Sequence, residues 1–83
     1  MSYLNIFFNL NGQNINIQAK SSDLFAEVAM KFMSKAGRTG EDLKFFFNSQ
    51  ELVPTSAKTL ADYRVTNQAR IDVVLASTVI GAN

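Results

Sequence analysis

Eighty-three residues with a formal charge of +1, from eight basic and seven acidic side chains, make one small domain without the basic excess of a nucleic-acid binder. Neither cysteine nor histidine occurs, which excludes disulfides, thiolate-held zinc and iron–sulfur clusters and removes the commonest general base and metal ligand. The apolar share is 47%, with seven Phe and no Trp, so a core is available without covalent staples.

The start, Met1-Ser2-Tyr3, has neither the charged nor the apolar region of a secretory signal. The apolar run at 73–80 is broken by Ser77 and Thr78 and is too short to span a bilayer. We therefore expect a cytoplasmic or nuclear protein with no membrane partner.

The first twenty residues predict a hairpin. Asn11-Gly12 is the strongest two-residue turn signal, because both central positions of a type I′ turn need positive φ. Closing the turn there pairs Phe8 with Ile15, Ile6 with Ile17 and Leu4 with Ala19. Apolar residues of both strands then share one face, and Asn5, Asn9, Asn14, Asn16 and Gln18 share the other, with Tyr3 and Phe7 outward among them.

Ser21-Ser22-Asp23 marks a helix start, with Ser22 or Asp23 as N-cap. Phe25, Val28, Ala29, Phe32, Met33 and Ala36 recur at helical spacing, and Gly37 follows as the left-handed stop. The spacing predicts a helix over 23–36, with Glu27 and Lys31 four residues apart on its polar side. Leu43 to Phe47 is an apolar strand broken only by Lys44, Asn48-Ser49 a turn, and 51–53 a return strand that Pro54 ends. A polar loop at 55–58, a short helical turn at 59–63 and a last strand at 70–77 complete the chain. The order is ββαββ-(short helix)-β, an α+β arrangement with a mixed sheet wrapped over one main helix. We expect a single domain over 1–83, with its core at about 4–76 and 77–83 a flexible tail. Leu4, Ile6, Ile15, Ile17, Val28, Phe32, Leu60 and Ile71 are expected in one core.

The block Thr59-Leu60-Ala61-Asp62-Tyr63-Arg64-Val65, followed by the strand Ile71-Asp72-Val73-Val74-Leu75, resembles the corresponding segment and last strand of ubiquitin and its relatives. Gly12, Ile15, Ile17, Ser22-Asp23, Val28, Phe32 and Asn48-Ser49-Gln50-Glu51-Leu52 extend the resemblance over most of the chain. It implies the β-grasp fold, with the first and last strands parallel at the centre of the sheet. It also implies that Leu60 plugs the core and that the Tyr63 hydroxyl ties the preceding loop; we expect its partner to be a backbone group in the 54–58 segment.

Departures from the family pattern bear on function. The commonly used chain-forming lysines fall at Gln50 and Asn67, and the lysines that match two helix positions, Lys31 and Lys35, read as a solvated face. The last residues read Val79-Ile80-Gly81-Ala82-Asn83, without the family's double glycine. Only a backbone free of side chains threads the narrow channels of activating enzymes, so we expect no conjugation of the chain as it stands.

Catalysis is not expected. There is no His, Cys or Ser-Lys motif, and no carboxylates are spaced for a metal. Gly37-Arg38-Thr39-Gly40 follows a helix instead of opening one, so the dipole has the wrong sign for an anion. We expect no cofactor and no metal.

What remains is apolar residues on the outer sheet face. The resemblance places the family's recognition patch at Leu10, Phe46 and Val74, with Phe7 and Lys44 beside them. Alternation along Phe45-Phe46-Phe47 turns at least one Phe away from the core, and alternation along 72–76 points Asp72, Val74 and Ala76 outward while Val73 and Leu75 point in. Lys44 and Asp72 would form a charged rim. The expected function is a non-enzymatic protein-interaction domain, monomeric, part of or excised from a longer polypeptide, whose partners are ubiquitin-system or chaperone-type receptors. The alternative is a modifier precursor processed at its C-terminus, possibly by an adjacent intein-like autoprocessing domain.

Overall fold

The computed structural model describes residues 3–76. Five strands, β1 (Leu4–Leu10), β2 (Gln13–Ala19), β3 (Leu43–Phe47), β4 (Gln50–Leu52) and β5 (Arg70–Leu75), form one sheet in the order β2-β1-β5-β3-β4. One long helix, α1 (Phe25–Ala36), packs on its inner face, and a single 3-10 turn spans Pro54–Ser56. β1 and β5 run parallel at the centre while the other pairings are antiparallel. This is the β-grasp arrangement.

The hairpin has the register its sequence demands. Asn11 and Gly12 take φ of 54° and 81°, the signature of a type I′ turn, and Phe8↔Ile15, Ile6↔Ile17 and Leu4↔Ala19 stand opposite one another. Asn48 and Ser49, also both at positive φ, build the second tight turn between β3 and β4.

Four phenylalanines fill the space between helix and sheet. Phe8 stacks on Phe32 with centroids 4.6 Å apart, and Phe45 meets Phe8, Phe25 and Phe32 edge-on. These edge-to-face and offset contacts suit the aromatic quadrupole. Ile6, Val28, Leu52, Leu60 and Ile71 complete the fully buried set. Of the expected core, Leu4 and Ile15 are only half-buried at its margin. Val65 and Ala69 join it from the segment before β5, which strand or helix periodicity does not reveal.

α1 starts two residues later than its sequence suggests, and neither Ser22 nor Asp23 caps it. Leu24 holds the N-cap position without a side-chain bond. Asp23 turns back instead, its Oδ2 accepting from Lys20 N–H at 2.9 Å. The segment before β5 meets the helix start: Phe25 N–H reaches Lys58 O, Leu60 N–H reaches Asp23 O, and Leu24 bridges Thr59. Tertiary contacts thus satisfy a donor that a cap would otherwise serve. At the other end Gly37, at φ 71°, closes the helix as expected, with Arg38 N–H on Met33 O. Glu27 and Lys31 do not form an ion pair within 4 Å; among the described residues only Arg38–Glu41 and Arg70–Asp72 do.

The short helix lies at Pro54–Ser56, earlier than the expected 59–63. Proline at its first position needs no N–H partner and starts this turn readily. Residues 59–64 form turns instead. Thr59 N–H donates to Asp62 Oδ2 at 3.0 Å and Asp62 N–H to Thr59 Oγ1 at 3.1 Å, a reciprocal box, and Arg64 at φ 60° ends it. Tyr63 is buried, but its hydroxyl finds its backbone partner one residue before the expected segment. It accepts from Val53 N–H at 3.1 Å and shares a 2.7 Å bond with Ser56 Oγ. β5 ends at Leu75, and the expected extension to Ser77, like the tail at 77–83, lies outside the described residues.

Candidate functional site

The outer sheet face is ordered by register. On one side of β1 it is a lattice of amides: Asn9 Nδ2 donates to Asn14 Oδ1 at 2.9 Å and Gln18 Nε2 to Asn5 Oδ1 at 3.3 Å. Toward β3 it changes character. Lys44 stands opposite Val74, and Phe46 stands between Asp72 on β5 and Glu51 on β4. Alternation decides this, because Leu43 and Phe45 are buried on the inner face and their neighbours must turn away.

Four of the residues singled out by sequence therefore come together on adjacent strands: Lys44, Phe46, Asp72 and Val74. Val74 is 36% exposed, and Phe46 and Lys44 are half-buried. Phe7, also half-buried, stands on β1 opposite Arg70. Between Phe7 and Phe46 on the β5 side lie Arg70 and Asp72, joined at 3.2 Å with both side chains well exposed. Such an exposed pair contributes little to stability, but it fixes one positive and one negative group between two aromatic rings.

Two expectations fail here. Leu10 is 6% exposed and belongs to the core. With a two-residue turn, Leu10 pairs directly with Gln13 as the last strand residue, so it shares the inward face of Ile6 and Phe8 instead of projecting from a loop. Ala76 is 2% exposed rather than outward, because the strand has ended before it and its N–H bonds Asp42 O at 2.9 Å. Conversely, Arg70 and Glu51 join the outer face without having been singled out. Counting by twos from Asp72 and from the Phe46 partner position locates both.

Elsewhere on the surface of the described residues lie clefts of about 180 and 400 Å³. The first, between the hairpin turn and the end of α1, is lined by Gln13, Ile15, Lys35 and Arg38 among others; the second lies along Met30 and Met33. Neither lining pairs a nucleophile with a base. No group of three or more acidic, His or Cys side chains is placed to hold a metal among the described residues, and no helix there is long and apolar enough to cross a membrane. One carboxyl has a shifted titration: the Thr59 N–H, and next its hydroxyl, hold Asp62 below the ordinary carboxylate value. It serves the turn that begins at Thr59.

A family model described as the ubiquitin family matches residues 6–78. The chain belongs to the ubiquitin family. Among solved structures it is similar to the ubiquitin-like domain of Arabidopsis thaliana protein At2g32350, at 12% identity and a TM-score of 0.80, over 90% of this chain and 79% of that one. It is also similar to a designed protein based on ubiquitin, at 24% identity and a TM-score of 0.78, over 90% of each chain. At these identities the likeness is one of fold. A comparison with curated proteins finds no match.

The two residues that the resemblance matches to chain-forming lysines differ in surroundings. Asn67 Oδ1 accepts from Asn5 N–H at 2.8 Å and so ties the approach to β5 onto β1, while Gln50 is exposed at the start of β4. Lys31 is exposed, whereas Lys35 Nζ donates to Asn16 O at 3.0 Å, so only one of the two helix lysines is simply solvated. The absence of a double glycine concerns residues 77–83, outside the described residues, and the modifier alternative turns on them.

Proposed function

We propose that this domain is a non-enzymatic protein-interaction module that binds through the outer face of β3 and β5. Its anchor is Phe46 with Val74, and Lys44, Asp72 and the Arg70 beside it set orientation. The observation that carries the reading is the placement of a phenylalanine on the solvent side of a sheet whose core is already complete on the other side. An aromatic there adds little to folding, yet it offers the flat, rigid contact area that protein interfaces favour. Phe7 extends the apolar area across the Arg70–Asp72 pair. Charged groups at the edge of such a patch act on partner choice and approach more than on raw affinity.

A partner that suits this face lays an apolar helix or loop against Phe46 and Val74 and carries charges complementary to Lys44 and Asp72. Receptors of the ubiquitin system with small helical binding domains have that form, and we assign the domain to them as a monomeric recognition unit. Supporting this is membership of the ubiquitin family. The test is Phe46→Ala, titrated with a helical ubiquitin-receptor domain. Loss of the aromatic centre should weaken binding at least about tenfold, with the unfolding midpoint little changed. Unchanged affinity with a collapse in stability would show that Phe46 serves the fold and that recognition lies elsewhere.

A further inference from the structure

β2 is an edge of the sheet, and its own sequence carries none of the usual protections: its seven residues include no charge and no proline, and its pairing with β1 is unbulged. The direction of its backbone groups follows from β1. Phe7 N–H bonds Ala69 O at 2.9 Å and Asn5 O accepts from Gln68 N–H at 2.7 Å, so Asn5 and Phe7 face the β5 side. Their cross-strand partners Gln18 and Asn16 are then the non-hydrogen-bonded pairs of the hairpin. Gln18 and Asn16, and by the same alternation Asn14, turn their N–H and C=O toward the open edge. Among the described residues one side chain closes it. Lys35, from the last turn of α1, donates from Nζ to Asn16 O at 3.0 Å, at the middle of the strand.

We propose that the β2 edge is a strand-pairing surface for a second copy of this chain, and that the Lys35–Asn16 bond is the latch that keeps it unpaired. The strand is self-complementary about Asn16. An antiparallel two-fold centred there sets Asn16 against Asn16 of the second copy and Asn14 against its Gln18, all three facing positions bonding in both directions. Centring on Ile15 or Ile17 instead keeps only two of these. The Asn16 register also sets Ile15 beside Ile17 of the second copy on the inner face. On the outer face it joins the Asn9–Asn14 bond of one copy to the Gln18–Asn5 bond of the other in one continuous amide row. No charged side chain of β2 meets a like charge across the axis, since β2 has none. Among the described residues the obstacle is Lys35: it occupies the central oxygen, and pairing would bring two ammonium groups to one axis.

The experiment is sedimentation equilibrium of the whole chain. Lys35→Ala should self-associate at a concentration at least about tenfold below wild type, approaching a doubled mass, while Lys31→Ala, which removes an equivalent charge away from Asn16, should behave as wild type. In the Lys35→Ala dimer the amides of Asn14, Asn16 and Gln18 should exchange with deuterium more slowly than in the monomer. Adding Asn16→Pro removes the central edge N–H without touching the β1 pairing; thermal melts verify that this variant folds, and it should restore the monomer. A Lys35→Ala protein no more associated than wild type, or a dimer that survives Asn16→Pro, would overturn the proposal.

Discussion

Tyr63 joins two segments through one oxygen. Its hydroxyl takes the Val53 N–H, and the neighbouring Ser56 Oγ, which itself donates to Val53 O at 2.7 Å, lies 2.7 Å away. Deleting that oxygen strands a partly buried donor. Tyr63→Phe should therefore cost about 1 kcal/mol, lowering the midpoint by roughly 4–8 °C for a domain of this size, read by urea and thermal melts. Asp62 makes a different residue-scale prediction. Its carboxyl is held below its ordinary value of 3.8 by the Thr59 N–H and hydroxyl. A depressed folded value means the contribution is fully present above the unfolded pKa and is lost as pH falls through the folded one. Asp62→Asn should accordingly flatten that part of the acid limb of the stability–pH profile below about pH 4; an unchanged acid limb contradicts the assignment. At this scale Leu60 and Tyr63 were legible from the motif that carries them. Leu10 was not, because carrying a loop residue over from ubiquitin ignored the alternation that a two-residue turn imposes on it.

Elements reveal where local signals win and where tertiary contacts override them. The hairpin register and the Gly37 stop were legible because each depends on backbone conformations that few residues adopt. The start of α1 was not, because its first donor is met by Lys58 O, thirty-three positions away from Phe25, and no window of sequence shows that. The short helix was displaced because the turn that the Thr59–Asp62 box opens is stopped at once by Arg64 in the left-handed region, while Pro54 begins the 3-10 element. The β3–β4 turn offers a test. Ser49 sits at φ 67°, a conformation that glycine adopts without strain. Ser49→Gly should stabilise the domain by about 0.5–1 kcal/mol, measured by denaturant melts, whereas Gly37→Ala, which meets no atom within 4 Å yet takes φ 71°, should destabilise it by about 1 kcal/mol through backbone strain alone.

At the scale of the molecule, one sheet carries the core on one face and the proposed recognition surface on the other. Its inner face, with the aromatic cluster of Phe8, Phe25, Phe32 and Phe45, holds the fold. Phe32→Ala should cost about 3–5 kcal/mol, most of what a domain of 83 residues has. The outer face was legible in its β3 and β5 parts because period-two alternation is rigid there; Arg70 and Glu51 belong to it through cross-strand pairing with Phe7 and Phe46, which sequence spacing within one strand does not show. The central claim is that recognition resides on that outer face. A titration of the nitrogen-15-labelled domain with a helical ubiquitin-receptor domain tests it directly. The account predicts amide shifts concentrated at Lys44, Phe46, Asp72 and Val74 and extending to Glu51 and Arg70. Shifts confined to α1 around Met30 and Met33, with the Phe46 face unmoved, would contradict it.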